Sequence, residues 1–344
     1  MCSMRWDNLS IDRQDEELSH LPGFRDPAVV RRFDAPEALG IRFHEINARS
    51  AINEVPKQSR MPFRYTINAY RGCTHACAYC FARPTHTYLD FNAREDFERE
   101  IVVKVNVPEL LRRELAKPSW KGEHVALGTN TDPYQWVEGR YELMRGIWEA
   151  MRDYSNPCSV LTKSPLLLRD LDLMLELREG VDFTAALSIP TLEEKAWRAT
   201  EPHTPHPRKR IEAVRKLNDA GIPTGVLIGP MIPGVNDHPE QVRELVDLCA
   251  EAGATHVSPI PLHLRGEVKD IWFDWLRENR PELLGRYADL YGRRAYLPGE
   301  ESRRLTGMVR PKLRNQGRRQ RRRWRTGHPP QADAQPKGEQ AALF

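Results

Sequence analysis

A chain of 344 residues can bury the core of one large α/β domain and still carry extensions. Charged residues make up 29% of it, no apolar run is long enough to span a bilayer, and no apolar signal segment opens the chain. With only 6 cysteines, this excludes a membrane-embedded or disulfide-stapled secreted protein and predicts a cytoplasmic one with no membrane partner. The net charge of +4 is unevenly spread: nine basic side chains and no acidic one lie between Arg310 and Arg325, which leaves −5 for the remainder.

In chain order, residues 1–55 are polar and irregular, with scattered apolar anchors such as Leu21 and Ile41. They are expected to wrap the core as an extension rather than to form a unit of their own. From Tyr65 onward, short β-type runs alternate with helix-length amphipathic stretches, which predicts an α/β fold with a parallel sheet and crossover helices. The predicted strands are Tyr65–Tyr70, His124–Gly128, Ser159–Thr162, Asp182–Ser188, Thr224–Ile228 and Thr255–Pro259, with Glu100–Val105 a further extended piece outside the main series. The predicted helices are Pro108–Leu115, Arg140–Asp153, Pro165–Leu177, Pro207–Ala220, Pro239–Ala252 and Val268–Arg277. Gly221 and Gly253 follow two helices at the position where a left-handed backbone is easiest for glycine. The core is thus expected over residues 56–280 and a helical extension over 281–309. A basic, disordered tail is expected over 310–344, where GHPPQADAQPKGEQ has almost no apolar content.

The run RGCTHACAYCF places Cys73, Cys77 and Cys80 in C-x3-C-x2-C spacing just after the first predicted strand. Three thiolates on one loop hold a cubane iron–sulfur cluster while leaving one iron free for chemistry, where four would close it for electron transfer. A zinc site using His75 or His86 as fourth ligand is the alternative, although no second ligand pair follows in the sequence. Cys2, Cys158 and Cys249 are too scattered to form a further ligand loop, and the last two read as small buried hydrophobes.

In barrels of parallel strands the chemistry lies at the strands' C-terminal ends. There the sequence places Thr129, Thr131 and Asp132 in GTNTDPYQ, Lys163 in LTKS, Ser188 in LSIPT, Arg208 and Arg210 in EPHTPHPRKRI, and Met231 in GPMIPGVND. Asp132 reads as an acceptor or as the cap of a turn, and Lys163 as a solvent-seeking amine or an anion's partner. Arginines at a helix start oppose its dipole and so ask for a reason, such as forking onto a carboxylate. Met231 reads as a ligand contact or as core filler.

Taken together and in order, TINAYRGCTHACAYCFAR, GTNTDPYQ, LTKS, LSIPT, EPHTPHPRKRI and GIPTGVLIGPMIPGVND resemble the spore-photoproduct-lyase-like branch of the radical SAM superfamily, over about residues 45–275. The resemblance implies a partial (β/α)6 TIM-type barrel and a [4Fe-4S] cluster on Cys73, Cys77 and Cys80. It also implies S-adenosylmethionine split reductively to a 5′-deoxyadenosyl radical that abstracts hydrogen from a substrate. Contacts to S-adenosylmethionine would come from Tyr79, Thr129, Thr131, Asp132, Ser188, Arg208, Arg210 and Met231. An electron donor such as flavodoxin or ferredoxin is implied as partner. Spore photoproduct lyase relies on a hydrogen-donor cysteine close beyond the cluster motif, and here His124–Asp153 contains none. Arg310–Arg325 with Trp324 reads either as a nucleic-acid docking arm, with phosphates gripped and the indole stacked, or as a solvated tail.

Overall fold

Short runs with buried or alternately buried side chains, separated by amphipathic helices, pair here into two sheets. The computed structural model describes residues 17–24, 27–59 and 61–309. Its strands are β1 (Glu17–Ser19), β2 (Ala28–Arg31), β3 (Arg42–Ile46), β4 (Ile52–Glu54), β5 (Tyr65–Ile67), β6 (Tyr70–Arg71), β7 (Glu100–Lys104), β8 (Val125–Leu127), β9 (Cys158–Thr162), β10 (Phe183–Ser188), β11 (Thr224–Met231) and β12 (Val257–Pro261). Its α-helices are α1 (Asp96–Arg99), α2 (Val107–Leu115), α3 (Glu138–Tyr141), α4 (Leu143–Asp153), α5 (Leu171–Gly180), α6 (Glu194–Thr200), α7 (Pro207–Asp219), α8 (Pro239–Glu251), α9 (Val268–Asn279), α10 (Leu284–Tyr291) and α11 (Gly299–Met308).

The main sheet runs β12-β11-β10-β9-β8-β5-β4. Every neighbouring pair from β5 through β12 is parallel, and β4 joins β5 antiparallel at one edge. Six parallel strands in sequential order, each pair bridged by helices, is the strand order of a partial (β/α)6 barrel. Beneath the helices the core is dense: Trp148 of α4 meets Phe183 of β10 edge to face at 5.4 Å, and both are fully buried. Polar groups inside this core are paired. Trp148 Nε1 donates to Tyr134 Oη (2.6 Å), which donates to Asp170 (2.9 Å), and Arg169 bridges Asp170 and Glu138. Burial pushes the Glu138 carboxyl up to about 7, and the Tyr70 hydroxyl donates to it from β6. That bond links the main helical layer to the second sheet.

The second sheet, β1-β2-β3-β7-β6, corrects the expectation of an irregular N-terminal wrap. Ala28–Arg31 and Arg42–Ile46 are strands because apolar Ala28, Phe43 and Ile46 bury against the main core while Arg31 and Arg42 stay accessible and paired to Glu45 and Glu100. The extended piece at Glu100–Lys104 belongs to this sheet. Two predicted helices also divide. Glu142, at φ 50°, breaks the helix expected over Arg140–Asp153, and Pro165–Asp170 is a 3-10 turn before α5. Gly221 and Gly253 adopt the left-handed backbone as expected, at φ 92° and 74°. The extension after residue 280 forms α10 and α11, tied down by Tyr287 and Tyr291 donating to the carbonyls of Pro233 and Leu262. The basic stretch Arg310–Arg325 and the rest of the tail lie outside the described residues. Among the described residues no helix is long and apolar enough to cross a membrane.

The backbone is tightest at the end of β8. Gly128 sits at φ 77°, and a Cβ there would lie 1.8 Å from the carbonyl oxygen of Leu161 on β9. Gly128→Ala is therefore expected to destabilise the fold by roughly 3 kcal/mol in urea unfolding, combining backbone strain with displacement of a neighbouring strand. A change under about 0.5 kcal/mol, typical of an unconstrained surface site, would contradict this reading of the turn.

Candidate active site at the cysteine loop

The three cysteines follow β6 directly, on a loop whose backbone is fixed from outside. Gly72, at φ 85°, lies against His86, Ile101 and the Phe97 carbonyl, each 2.9 Å from where a Cβ would stand. Cys73 N donates to Phe97 O (2.9 Å), Thr74 N to Gln135 Oε1 (2.9 Å) and Ala78 N to Thr200 O (3.0 Å). Arg83, buried, donates to the carbonyls of Ala76, Cys77, Ala93 and Arg94 and pairs with Glu98. Four separate segments thus hold one loop. Cys73 and Cys77 are buried, Cys80 is half-buried, and none is in a disulfide. Burial and the nearby Glu201 carboxylate push the Cys77 thiol well up. Burial and Cys73 push Cys80 to about 11. The Lys163 charge, and for Cys80 also that of Arg83, opposes this rise.

Beside the loop, residues from five segments converge. Glu201 caps α6 and is fully buried, with Arg210 of α7 at 2.7 Å, Lys163 Nζ at 3.3 Å and the Tyr79 hydroxyl donating to it. Burial alone would raise this carboxyl, but the Arg210 and Lys163 charges and the Tyr79 hydroxyl outweigh it and hold it at about 2. Lys163 also donates to Ser188 Oγ (2.8 Å) and lies over the Tyr79 ring at 5.8 Å. Ser188 Oγ in turn donates to Gly229 O at 2.9 Å. On the other side of Lys163, its backbone N–H reaches Asp132 (2.7 Å), which also accepts from Thr162 Oγ1 (2.6 Å) and lies 3.4 Å from His75 Nδ1. Burial would raise Asp132, but His75, Thr162 and the Lys163 amide together hold it at about 2.

Tyr79, Asp132, Ser188 and Arg210 of the predicted residues are thereby brought together, with Lys163 as the joint. Thr131 is buried with its hydroxyl donated to Tyr70 O (2.9 Å), and Thr129 stands half-buried in the same turn. Arg210 is committed inward: it donates to Ser188 O, Pro205 O, Thr204 and Glu201, so the partner expected from a ligand is this chain's own carboxylate. Arg208 lies outside the group, exposed and paired with Glu244 of α8 at 3.3 Å. At about 100° per residue, two residues on a helix point to nearly opposite sides, so Arg210 inward puts Arg208 outward. Met231 is fully buried in the main core at the end of β11. Cys158 and Cys249 are buried core thiols, as expected.

Glu201 and Gln135 are the residues the sequence did not single out. Glu201 carried a usable signal: a carboxylate at a helix C-terminus opposes the dipole and so calls for a cation nearby. Gln135 carried none, since its amide acts only on backbone groups distant in sequence.

A family model described as the Radical SAM superfamily matches residues 67–257, over half of the chain. The chain belongs to the radical SAM superfamily. It is a radical SAM enzyme. An uncharacterized protein of Mycobacterium tuberculosis is 44% identical to it over 310 residues, covering 90% of this chain and 91% of that one. A radical SAM Nalpha-GlyT isomerase of Pseudomonas phage M6 is 25% identical over 54% of this chain and 36% of its own length. Among solved structures, spore photoproduct lyase complexed with a dinucleoside spore photoproduct superposes with a TM-score of 0.57, at 16% identity, over 80% of this chain and 79% of that chain. At that identity the likeness is one of fold.

Removing the Glu201 charge strands Arg210 and Lys163 in a buried setting. Glu201→Ala is expected to cost about 3–5 kcal/mol in urea unfolding, the range for breaking a buried pair. Arg208→Ala should stay within about 0.5 kcal/mol. Because folding depresses Glu201 to about 2, its contribution is present above the ordinary carboxylate pKa and lost as pH falls through the folded value. The gap between wild type and Glu201→Ala should therefore be constant near neutrality and shrink below about pH 4. A gap that widens with acid would contradict the pairing.

Proposed function

We propose that Cys73, Cys77 and Cys80 hold a [4Fe-4S] cluster with one iron left for S-adenosylmethionine, and that the protein abstracts hydrogen from a substrate beside this loop. The reading rests on one observation: three unpaired thiols on an externally braced loop stand next to the Lys163–Ser188–Glu201 group at the strand ends. A single zinc ion needs ligands converging on one point, and among the described residues no three His, Cys, Asp or Glu side chains do so. A cubane offers separate irons to separate sulfurs. When bound, the cluster supplies the electron that cleaves S-adenosylmethionine to a 5′-deoxyadenosyl radical.

The chain's own residues bind and orient. Lys163 carries the ammonium suited to the carboxylate of S-adenosylmethionine, and Ser188 the hydroxyl suited to its ribose. Thr129, Thr131 and Asp132 form the turn that would receive its amino group, with Asp132 fixing that turn through Thr162 and the Lys163 amide. Tyr79 and Arg210 act as positioning residues, holding Glu201 and through it Lys163. Met231 would back the adenine from the core. A small reductant such as flavodoxin or ferredoxin supplies electrons, in keeping with a cytoplasmic location.

Anaerobic reconstitution should give about four irons and four sulfides per chain with broad charge-transfer absorbance. With dithionite it should release 5′-deoxyadenosine. Cys77→Ala should lose both. Lys163→Met should keep the iron and sulfide but weaken S-adenosylmethionine binding about 10- to 100-fold, the worth of a charge-assisted hydrogen bond. Stoichiometric zinc without sulfide in oxygen-free wild-type protein would overturn the reading.

A second reading concerns the substrate. The run Arg310–Arg325 offers nine cations, and the dinucleoside held by the structurally similar lyase favours a nucleic-acid component. Deleting residues 310–344 should then lower DNA affinity and flatten its dependence on salt, each lost phosphate contact reducing the slope by about 0.9. An unchanged slope removes the tail from substrate binding.

A further inference from the structure

The second sheet carries two cations that its own acids do not balance. In the antiparallel β6–β7 pair, Arg71 stands opposite Val102, and Val102 and Lys104 share a face because side chains alternate along a strand. Arg71 and Lys104 are therefore diagonal neighbours on one face, within reach of each other's long side chains. Both are half-buried, and among the described residues neither forms an ion pair. The acid on that face, Glu100, is the other diagonal neighbour of Arg71, but its carboxylate is taken by Arg42 (2.6 Å) and His44 (2.8 Å). Lys104 Nζ donates to the carbonyl of Asn68 at 2.9 Å, and the buried side-chain oxygen of Asn68 has no donor among the described residues. Burial and the Arg71 charge together lower Lys104 to about 8.

Two adjacent, partly desolvated like charges destabilise a fold unless a counter-charge meets them. They lie beside the cysteine loop: Arg71 precedes Cys73 by two residues, and Asn68 lies between β5 and β6, the strands leading into it.

We propose that Arg71 and Lys104 form an anion-binding subsite that takes a phosphate-ester group of the substrate, beside the reacting centre. An arginine fork with an ammonium supplies two charges and several donors, which suits the oxygens and charge of a phosphate better than those of a carboxylate. The assignment names part of the substrate for the function proposed above and rests on that reading. Its test needs neither cluster nor turnover.

The full chain, with and without reconstituted cluster, is treated with an acetylating N-hydroxysuccinimide ester near pH 8. Peptide mass spectrometry then reads Lys104 against the exposed Lys195. Inorganic phosphate is expected to slow acetylation of Lys104 about fivefold or more and to leave Lys195 unchanged, as a charge-assisted contact requires. Acetate at equal ionic strength should not. Protection by thymidine 5′-monophosphate at lower concentration than by a short single-stranded oligodeoxynucleotide assigns the phosphate to a free nucleotide, and the reverse order to a strand. Arg71→Gln should abolish protection. Arg71→Lys, which keeps the charge and loses the fork, should retain part of it, with thermal melts confirming folded protein. Equal acetylation of Lys104 with and without every anion overturns the proposal, as does protection that persists in folded Arg71→Gln or equals that given by acetate. Release of 5′-deoxyadenosine is independent of these outcomes, so the failure of the subsite and the failure of the radical reading are separable.

Discussion

The fully buried carboxylate of Glu201 is the interaction around which the strand-end region is arranged. A charge out of water is tolerated only when its partners satisfy it, and here they come from three directions. Arg210 reaches in from α7, Lys163 from the end of β9, and the Tyr79 hydroxyl from the cysteine loop. The loop is thereby keyed to the barrel through one acid, and the position of Tyr79, between Cys77 and Cys80, ties that acid to the thiols. Glu201 balances one of its two cations. The surplus positive charge falls on Lys163, which has the more accessible side chain, 16% exposed against 0% for Arg210. A site that leaves one unbalanced ammonium beside a serine hydroxyl is suited to a small zwitterionic ligand with a carboxylate.

Much of this was legible in the sequence because local signals and tertiary roles coincide. Each β-α alternation needs only a short buried run and an amphipathic stripe, so the six main-sheet strands could be read, although the expected Tyr65–Tyr70 divides between the two sheets and two of the helices divide. The cysteine spacing is local, and so is the meaning of Gly221 and Gly253. What could not be read depends on registers formed far apart in the chain. Arg208 and Arg210 look equivalent in sequence, and only the phase of α7 against β10 decides which is buried. Ala28–Arg31 and Arg42–Ile46 are too short to declare themselves as strands, and they become so by pairing with each other and with Glu100–Lys104. Glu201 was hidden for a related reason: its two cations lie 38 residues before it and 9 after it.

The second sheet has a different electrostatic character from the strand-end group. On one face of β7, Glu100 is gathered in by Arg42 and His44, and Arg71 and Lys104 beside it form no ion pair among the described residues. A sheet built only to cover the barrel would gain nothing from that asymmetry. Arg71 lies two residues before Cys73, so this half-buried pair stands at the entry to the cysteine loop.

The protonation states of the groups that meet at the strand ends point to the kind of chemistry they can serve. A general acid or base works best when its pKa lies near the working pH. Asp132 and Glu201 are both held at about 2, His75 is raised to about 10 by Cys73 and Asp132 against the effect of burial, and Lys163 is raised by Glu201 in the same way. Tyr79 and Cys77 are pushed well up by burial. The two carboxylates are spent on internal donors, Glu201 on Arg210, Lys163 and Tyr79, and Asp132 on Thr162 and the Lys163 amide. Such a site is poorly suited to moving protons at a reacting carbon. Side chains committed in this way are held in position by one another, which fits the positioning role proposed for Tyr79 and Arg210.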